Sequence, residues 1–302
     1  METETSNNMY QSEENLKPQT SNLKSEATSN LNSQTINLKP QTSNLKLQTS
    51  FEVCSNSVES CLEAQKGGAD RVELCSGIPE GGTTPSYGEI IVARRLLNRT
   101  RLHVIIRPRG GDFLYSELEL ERMKADIRAC REIGVDGVVF GCLTADGSID
   151  EDACRQLIAE CGSMSMTFHR AFDRCRDPFT ALEQIINLGF HRILTSGQQP
   201  TAMQGVALLH DLVAQSAGRI RIMAGSGVTE TNILRIKQAT KVCDFHFSAR
   251  LPQPSKMVFL NQNIYMGTKG TDENTIMVTS ADRVKATIRA ALLDEIEEET
   301  KC

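Results

Sequence analysis

The sequence predicts a single (β/α)8 barrel of the TIM type, preceded by a disordered polar tail, and three observations carry that prediction. From Phe51 onward, short apolar runs alternate with amphipathic stretches through about 245 residues, enough for the eight strand–helix units that such a barrel needs. Glycines stand where a helix must stop and a strand begin, in "GGAD", "EIGVDG" and "NLGFHR". The first apolar run is not followed by a G-x-G-x-x-G turn, which argues against the alternative, a doubly wound open sheet.

Taken in order, residues 1–50 come first. They are rich in Ser, Thr, Asn, Gln and Lys, hold one aromatic residue, Tyr10, and repeat "NLKPQTSNLK" unchanged at 15–24 and 37–46. A polar repeat without apolar periodicity buries too little to offset the entropy of ordering it, so a low-complexity, disordered tail is expected. The barrel domain then spans 51–302. Its expected strands are Phe51–Cys54, Arg71–Cys75, Leu102–Arg107, Gly137–Phe140, Ser165–His169, Arg192–Thr195, Arg219–Met223 and Asp244–Ser248. Amphipathic helices fall between them, such as 117–133 with Leu118, Met123, Ile127 and Cys130 as its buried stripe. Residues 249–281 break the rhythm as a long loop, and the last helix begins near Ala281. A loop of that length after a strand's C-terminal end reads as a lid or an interface arm on the face where barrel chemistry occurs.

Composition narrows the function classes. The 302 residues are 24% charged and 39% hydrophobic with a net charge of -5, so a broad nucleic-acid surface is not expected. No apolar run reaches membrane-spanning length, and the N-terminus lacks a signal peptide's apolar core. The ten cysteines form no CxxC pair. They read as reduced thiols in the cytoplasm, most of them helix packing.

Alternation along the strands selects the candidate site, because residues two apart share a face. Glu52 and Cys54 on the first strand and Glu73 and Cys75 on the second point inward, as do Arg107, Thr167, His169, His246 and Ser248 near the ends of later strands. Buried carboxylates need a partner, and Arg107 or a cation is the expected one. The turn Gly225-Ser226-Gly227 and the neighbouring Ser248-Ala249 follow strands seven and eight, the habitual phosphate site of such barrels, so they are candidate anion-binding residues. In "RPRGGDF", Arg107, Arg109 and Asp112 either bind an anion or stabilise their own loop. Cys54 and Cys75 sit at the tops of neighbouring strands about 4.8 Å apart. Two thiolates so placed suit a soft ion such as Cu(I) better than a hard one, with Cys142 as a candidate supplement; buried structural cysteine is the competing reading.

The segments "EVC", "GGADRVELC", "EGGTTPSYG", "HVIIRPRGGDFLYS", "DGVVFGCLTADG", "TFHRAFDRCRDP", "ILTSGQQP", "GSGV" and "FHFSAR", in order across 51–250, resemble the CutC family. The resemblance implies a cytoplasmic TIM-type barrel that often self-associates, takes part in copper homeostasis, and binds Cu(I) through Cys54 and Cys75. The sequence departs from the family pattern at Cys142, where a small residue is usual, and at Leu260, where an arginine is expected. The alternative is an isomerase or lyase acting on a small phosphorylated or carboxylated metabolite. Glu52, Glu73 and His169 would then be its acid–base candidates and Arg107 its anion clamp. A third reading, a hard-metal site of Glu52, Glu73, His169 and His246, is opposed by the guanidinium of Arg107 in the same space.

Overall fold

The computed structural model describes residues 48–259, 261, 263–264, 266 and 272–293. The expected tail up to residue 47 and the departure at Leu260 lie outside the described residues. Eight parallel strands close a barrel: β1 (Ser50–Ser55), β2 (Arg71–Leu74), β3 (Arg101–Ile105), β4 (Gly137–Phe140), β5 (Ser165–Phe168), β6 (Arg192–Thr195), β7 (Arg221–Ala224) and β8 (Asp244–Phe247). Closure comes from β8 pairing with β1, which sets Glu52 opposite His246. Around it run α1 (Val58–Gly67), α2 (Tyr87–Leu96), α3 (Glu117–Ile133), α4 (Glu151–Cys161), α5 (Pro178–Asn187), α6 (Val206–Ser216), α7 (Ile233–Thr240) and α8 (Ala281–Ala291).

The apolar residues that alternate with the inward-facing ones lie on the outer face of the strands. Val53, Val72, Leu74, Val104, Ile106, Phe168, Phe245 and Phe247 are buried in one core with the inner faces of the helices. Four expected strands stop one or two residues early, so Cys75, Arg107, His169 and Ser248 fall just beyond the ladders. The Arg107 N–H donates to Thr84 Oγ1 rather than to a neighbouring strand, whereas the N–H groups of Cys75 and His169 still reach the Ser55 and Phe140 carbonyls. On α3 the buried stripe is Leu120, Met123, Ile127 and Cys130, and Leu118 is 73% exposed. Spacings of three and four hold one helical face, whereas the five residues from 118 to 123 do not.

Helix ends are specified locally. The side chains of Ser57, Ser86, Asp150, Asp177 and Ser280 each accept a backbone N–H at a helix start, and Ser116 and Glu119 form a reciprocal capping box on α3. Gly68 and Gly134 close α1 and α3 in the left-handed conformation that an L side chain resists. Gly67 has a different task. A Cβ there would come within 2.5 Å of Val284 Cβ, so its absence lets α1 and α8 approach.

Part of the expected loop is an arm. Strands β9 (Arg250–Pro254) and β10 (Thr275–Thr279) form an antiparallel pair outside the barrel. Two prolines in "RLPQP" hide β9 from pattern reading, but a two-stranded ribbon tolerates them because each strand has a free edge. Asn56 Nδ2 donates to the Met277 carbonyl and the Thr279 N–H to Ser60 Oγ, tying β10 to the start of α1. No described helix is long and apolar enough to cross a membrane.

A candidate metal centre at the barrel mouth

The inward charges stack in layers along the barrel axis. In the lower layer Glu52, fully buried, accepts from Arg71 Nε at 3.1 Å, and His103 Nδ1 lies 3.7 Å from the same carboxylate. Asp244, also buried, meets Arg221 at 3.0 Å and both Arg71 and Arg192 at 3.6 Å. Arg71, not the expected Arg107, therefore balances Glu52. The same alternation that turned Glu73 and Cys75 inward also turned Arg71 inward, so this partner was available in "RVELC". Arg107 is held higher, with its guanidinium donating to the carbonyls of Glu80, Gly82 and Gly111.

His246 joins this layer to the mouth. Its Nδ1 lies 3.0 Å from Glu52 Oε1 and its Nε2 lies 3.5 Å from Glu73 Oε2. Burial opposes its protonation, but contacts with Cys54 and Glu52 and the charge of Glu73 outweigh that, and its pKa rises well above the ordinary histidine range. Glu52 responds in the opposite sense. Burial pushes its carboxyl up, yet the His246 hydrogen bond and the Arg71 charge together hold it well below the usual range. Glu73 has less support: burial, with Cys54 and Glu52 nearby, pushes it up to about 8 against the pull of His246. Its Oε1 has no protein partner.

Cys54 and Cys75 stand directly above, with sulfurs 3.6 Å apart. The Cys75 thiol also lies 3.6 Å from Glu73 Oε2. The two thiols are unlike. A hydrogen bond from Cys75 draws Cys54 well below the ordinary thiol range despite burial, and His246 helps; Cys75 is pushed well up in turn. Burial pushes Cys61, Cys130, Cys161 and Cys175 up to about 12, as packing thiols should be. Cys54, Glu73 and Cys75 bring three donor atoms within 4.8 Å of one another. A metal–sulfur bond is about 2.3 Å, so sulfurs at this separation are within reach of one ion. The two sulfurs of this donor set favour a soft cation, and the carboxylate beside them adds a hard oxygen donor.

The other expected residues divide. Cys142 is part of the apolar core beside Cys154 and does not join the thiol pair. Arg109 pairs with Asp112 at 2.9 Å and with Glu119, so this part of "RPRGGDF" stabilises its own loop. His169 packs its ring edge-to-face with Phe113 at 4.9 Å, the Arg107 guanidinium lies over the Phe113 ring at 4.8 Å, and His169 is not among the three clustered metal donors. Ser226, Gly227, Ser248 and Ala249 line the same mouth cavity, about 430 Å³ in volume, as Cys54, Cys75, Arg107 and His169. Gly225 sits just behind this wall, where a Cβ would meet Leu194 Cδ1 at 2.5 Å and His246 Cβ at 3.3 Å.

The fold and this site define a (β/α)8-barrel protein with a thiol pair at its mouth, set over a buried carboxylate–histidine–arginine network. The chain belongs to the CutC family, whose model matches residues 49–251, the span that holds every barrel strand and both cysteines. It is 61% identical to the CutC family protein of Bacteroides thetaiotaomicron over 240 residues, 79% of this chain and 96% of that protein. The human copper homeostasis protein cutC homolog is 48% identical over 235 residues, 78% of this chain and 86% of its own. Among solved structures, CutC from Streptococcus agalactiae superposes with a TM-score of 0.64 at 36% identity, covering 67% of this chain and 99% of that one.

Proposed function

We propose that this protein binds copper as Cu(I) at the barrel mouth, in the cytoplasm, with Cys54 and Cys75 as the sulfur ligands. The observation that carries the reading is the 3.6 Å approach of the two sulfurs. Soft thiolates on neighbouring rigid strands select a soft, low-coordination ion. Cys54 is drawn toward its thiolate form, the form that ligates, and Glu73 offers an oxygen beside the pair. Glu52 serves as a supporting group that holds His246 charged beneath the sulfurs, rather than as a ligand. A cytoplasmic setting keeps such a close thiol pair reduced, and the human relative bears the name of a copper homeostasis protein.

The test is an anaerobic Cu(I) competition titration against a chromogenic chelator, with the parent, Cys54→Ser and Cys75→Ser. The parent is expected to withhold one equivalent per chain and each variant to release it. Two variants that compete as well as the parent would overturn the assignment.

A further inference from the structure

We propose that the mouth cavity has a second occupant, a small oxyanionic metabolite such as a carboxylate or phosphate ester, with its anionic group set against Arg107 and the Nε2–H of His169. The proposal is independent of copper binding and uses none of the sulfur ligands. A cavity of about 430 Å³ is of the size that holds a small organic molecule, far more than a single ion needs.

Two side chains that line the cavity each carry one N–H without an acceptor. Arg107 is only 4% exposed, and its terminal nitrogens donate to three backbone carbonyls at 2.8–2.9 Å. Its Nε has no partner, and among the described residues no carboxylate lies within ion-pair distance of it. Carbonyl dipoles orient a buried guanidinium without neutralising it, and a buried charge left so is costly. His169, 3% exposed, is the second donor. Its Nδ1 accepts the Ala171 N–H at 3.3 Å, which fixes the proton of the neutral ring on Nε2. That Nε2 is buried without an acceptor. Burial, reinforced by the charge of Arg107, takes the ring's pKa down to about 3, so it remains a neutral donor at physiological pH. Both side chains pack against Phe113 and line one cavity, and their two unpaired nitrogens lie buried at its wall.

Two buried donors with no acceptor call for a ligand rich in acceptors, and the guanidinium calls for an anion. They would repel a metal cation. Further along the cavity, Ser226 and Gly227 form a turn with left-handed φ of 75° and 69°, and Ala249 and Arg250 lie beside it. That end has room for the rest of the molecule or a second anionic group.

The experiment is isothermal titration of the copper-free full chain with malonate and, separately, inorganic phosphate, at 150 mM salt to screen surface charge. His169→Asn keeps an acceptor for the Ala171 N–H and deletes the Nε2 donor. The parent is expected to bind at least one probe at one per chain. His169→Asn and Arg107→Lys should weaken binding about tenfold or more, as the loss of a hydrogen bond to a charged group does. Should Arg107→Lys fail to fold, His169→Asn carries the test alone. Cys54→Ser should bind the probe as the parent does, and His169→Asn should bind Cu(I) as the parent does, which separates this site from the copper site. Three results would each overturn the proposal: neither probe binds, the probe binds equally to His169→Asn, or the probe is lost with Cys54.

Discussion

At the scale of single residues, the mouth shows how one position changes its neighbour's chemistry. Cys54 is drawn down because Cys75 and His246 stabilise its sulfur, and His246 is charged because Glu52 and Cys54 hold it so. Arg71 anchors the layer beneath. Replacing it with leucine strands the fully buried carboxylate of Glu52 without its guanidinium, and a loss of about 3–5 kcal/mol is expected in urea unfolding. His169 gives a pH prediction. Its pKa falls from 6.5 to about 3 on folding, so between these values the unfolded chain binds the extra proton. Its contribution to stability is therefore complete above pH 6.5 and lost as the pH falls toward 3. In His169→Asn the slope of unfolding free energy against pH, between pH 5 and 6, should be shallower than in the parent by up to about 1.4 kcal/mol per unit. Equal slopes would mean that the ring is not held neutral.

At the scale of elements, caps and close approaches decide where each helix sits. Ser116 and Glu119 satisfy each other's backbone N–H groups at the start of α3, and Ser116→Ala should cost about 1 kcal/mol by thermal or urea unfolding. Gly67 is a sharper test. Alanine is the better helix former by about 1 kcal/mol, so propensity alone predicts stabilisation. The contact with Val284 and the Ala281 carbonyl, 2.5–2.8 Å from a Cβ, predicts a net loss of about 1–3 kcal/mol instead. Strand and helix order was legible in the sequence because period-2 and period-3.6 patterns were cleanly separated by glycines such as Gly134 and Gly189. Strand ends were less legible. Whether Arg107 or His169 continues a ladder depends on how far the neighbouring strand runs, which local pattern does not encode. Leu118 was misplaced by one face because a leucine near a helix start offered an apolar match at the wrong spacing. The arm of β9 and β10 was hidden by its prolines.

At the scale of the whole molecule, barrel closure makes the site. Pairing of β8 with β1 sets His246, 194 residues from Glu52 in sequence, within 3.0 Å of it, and stands the thiols on the strands next to that junction. Alternation identified Glu52, Cys54, Glu73, Cys75, His169 and His246 as inward residues, but it could not say which would meet. Cys54 and Cys75 met because β1 and β2 are neighbours, with Cys54 opposite Glu73 and Cys75 two residues beyond it on the same face; His169, at the end of β5, lines the same cavity from another strand. Of the two partners expected for the glutamates, Arg107 or a cation, Arg107 forms no ion pair with either among the described residues, which leaves its charge for another use. The central claim remains the thiol pair as a copper site. X-ray absorption at the copper K-edge of the Cu(I)-loaded protein tests it most directly. Two sulfur scatterers should dominate the first shell of the parent, and one should disappear in Cys75→Ser; a shell of nitrogen and oxygen alone, or a spectrum unchanged by that substitution, would contradict it.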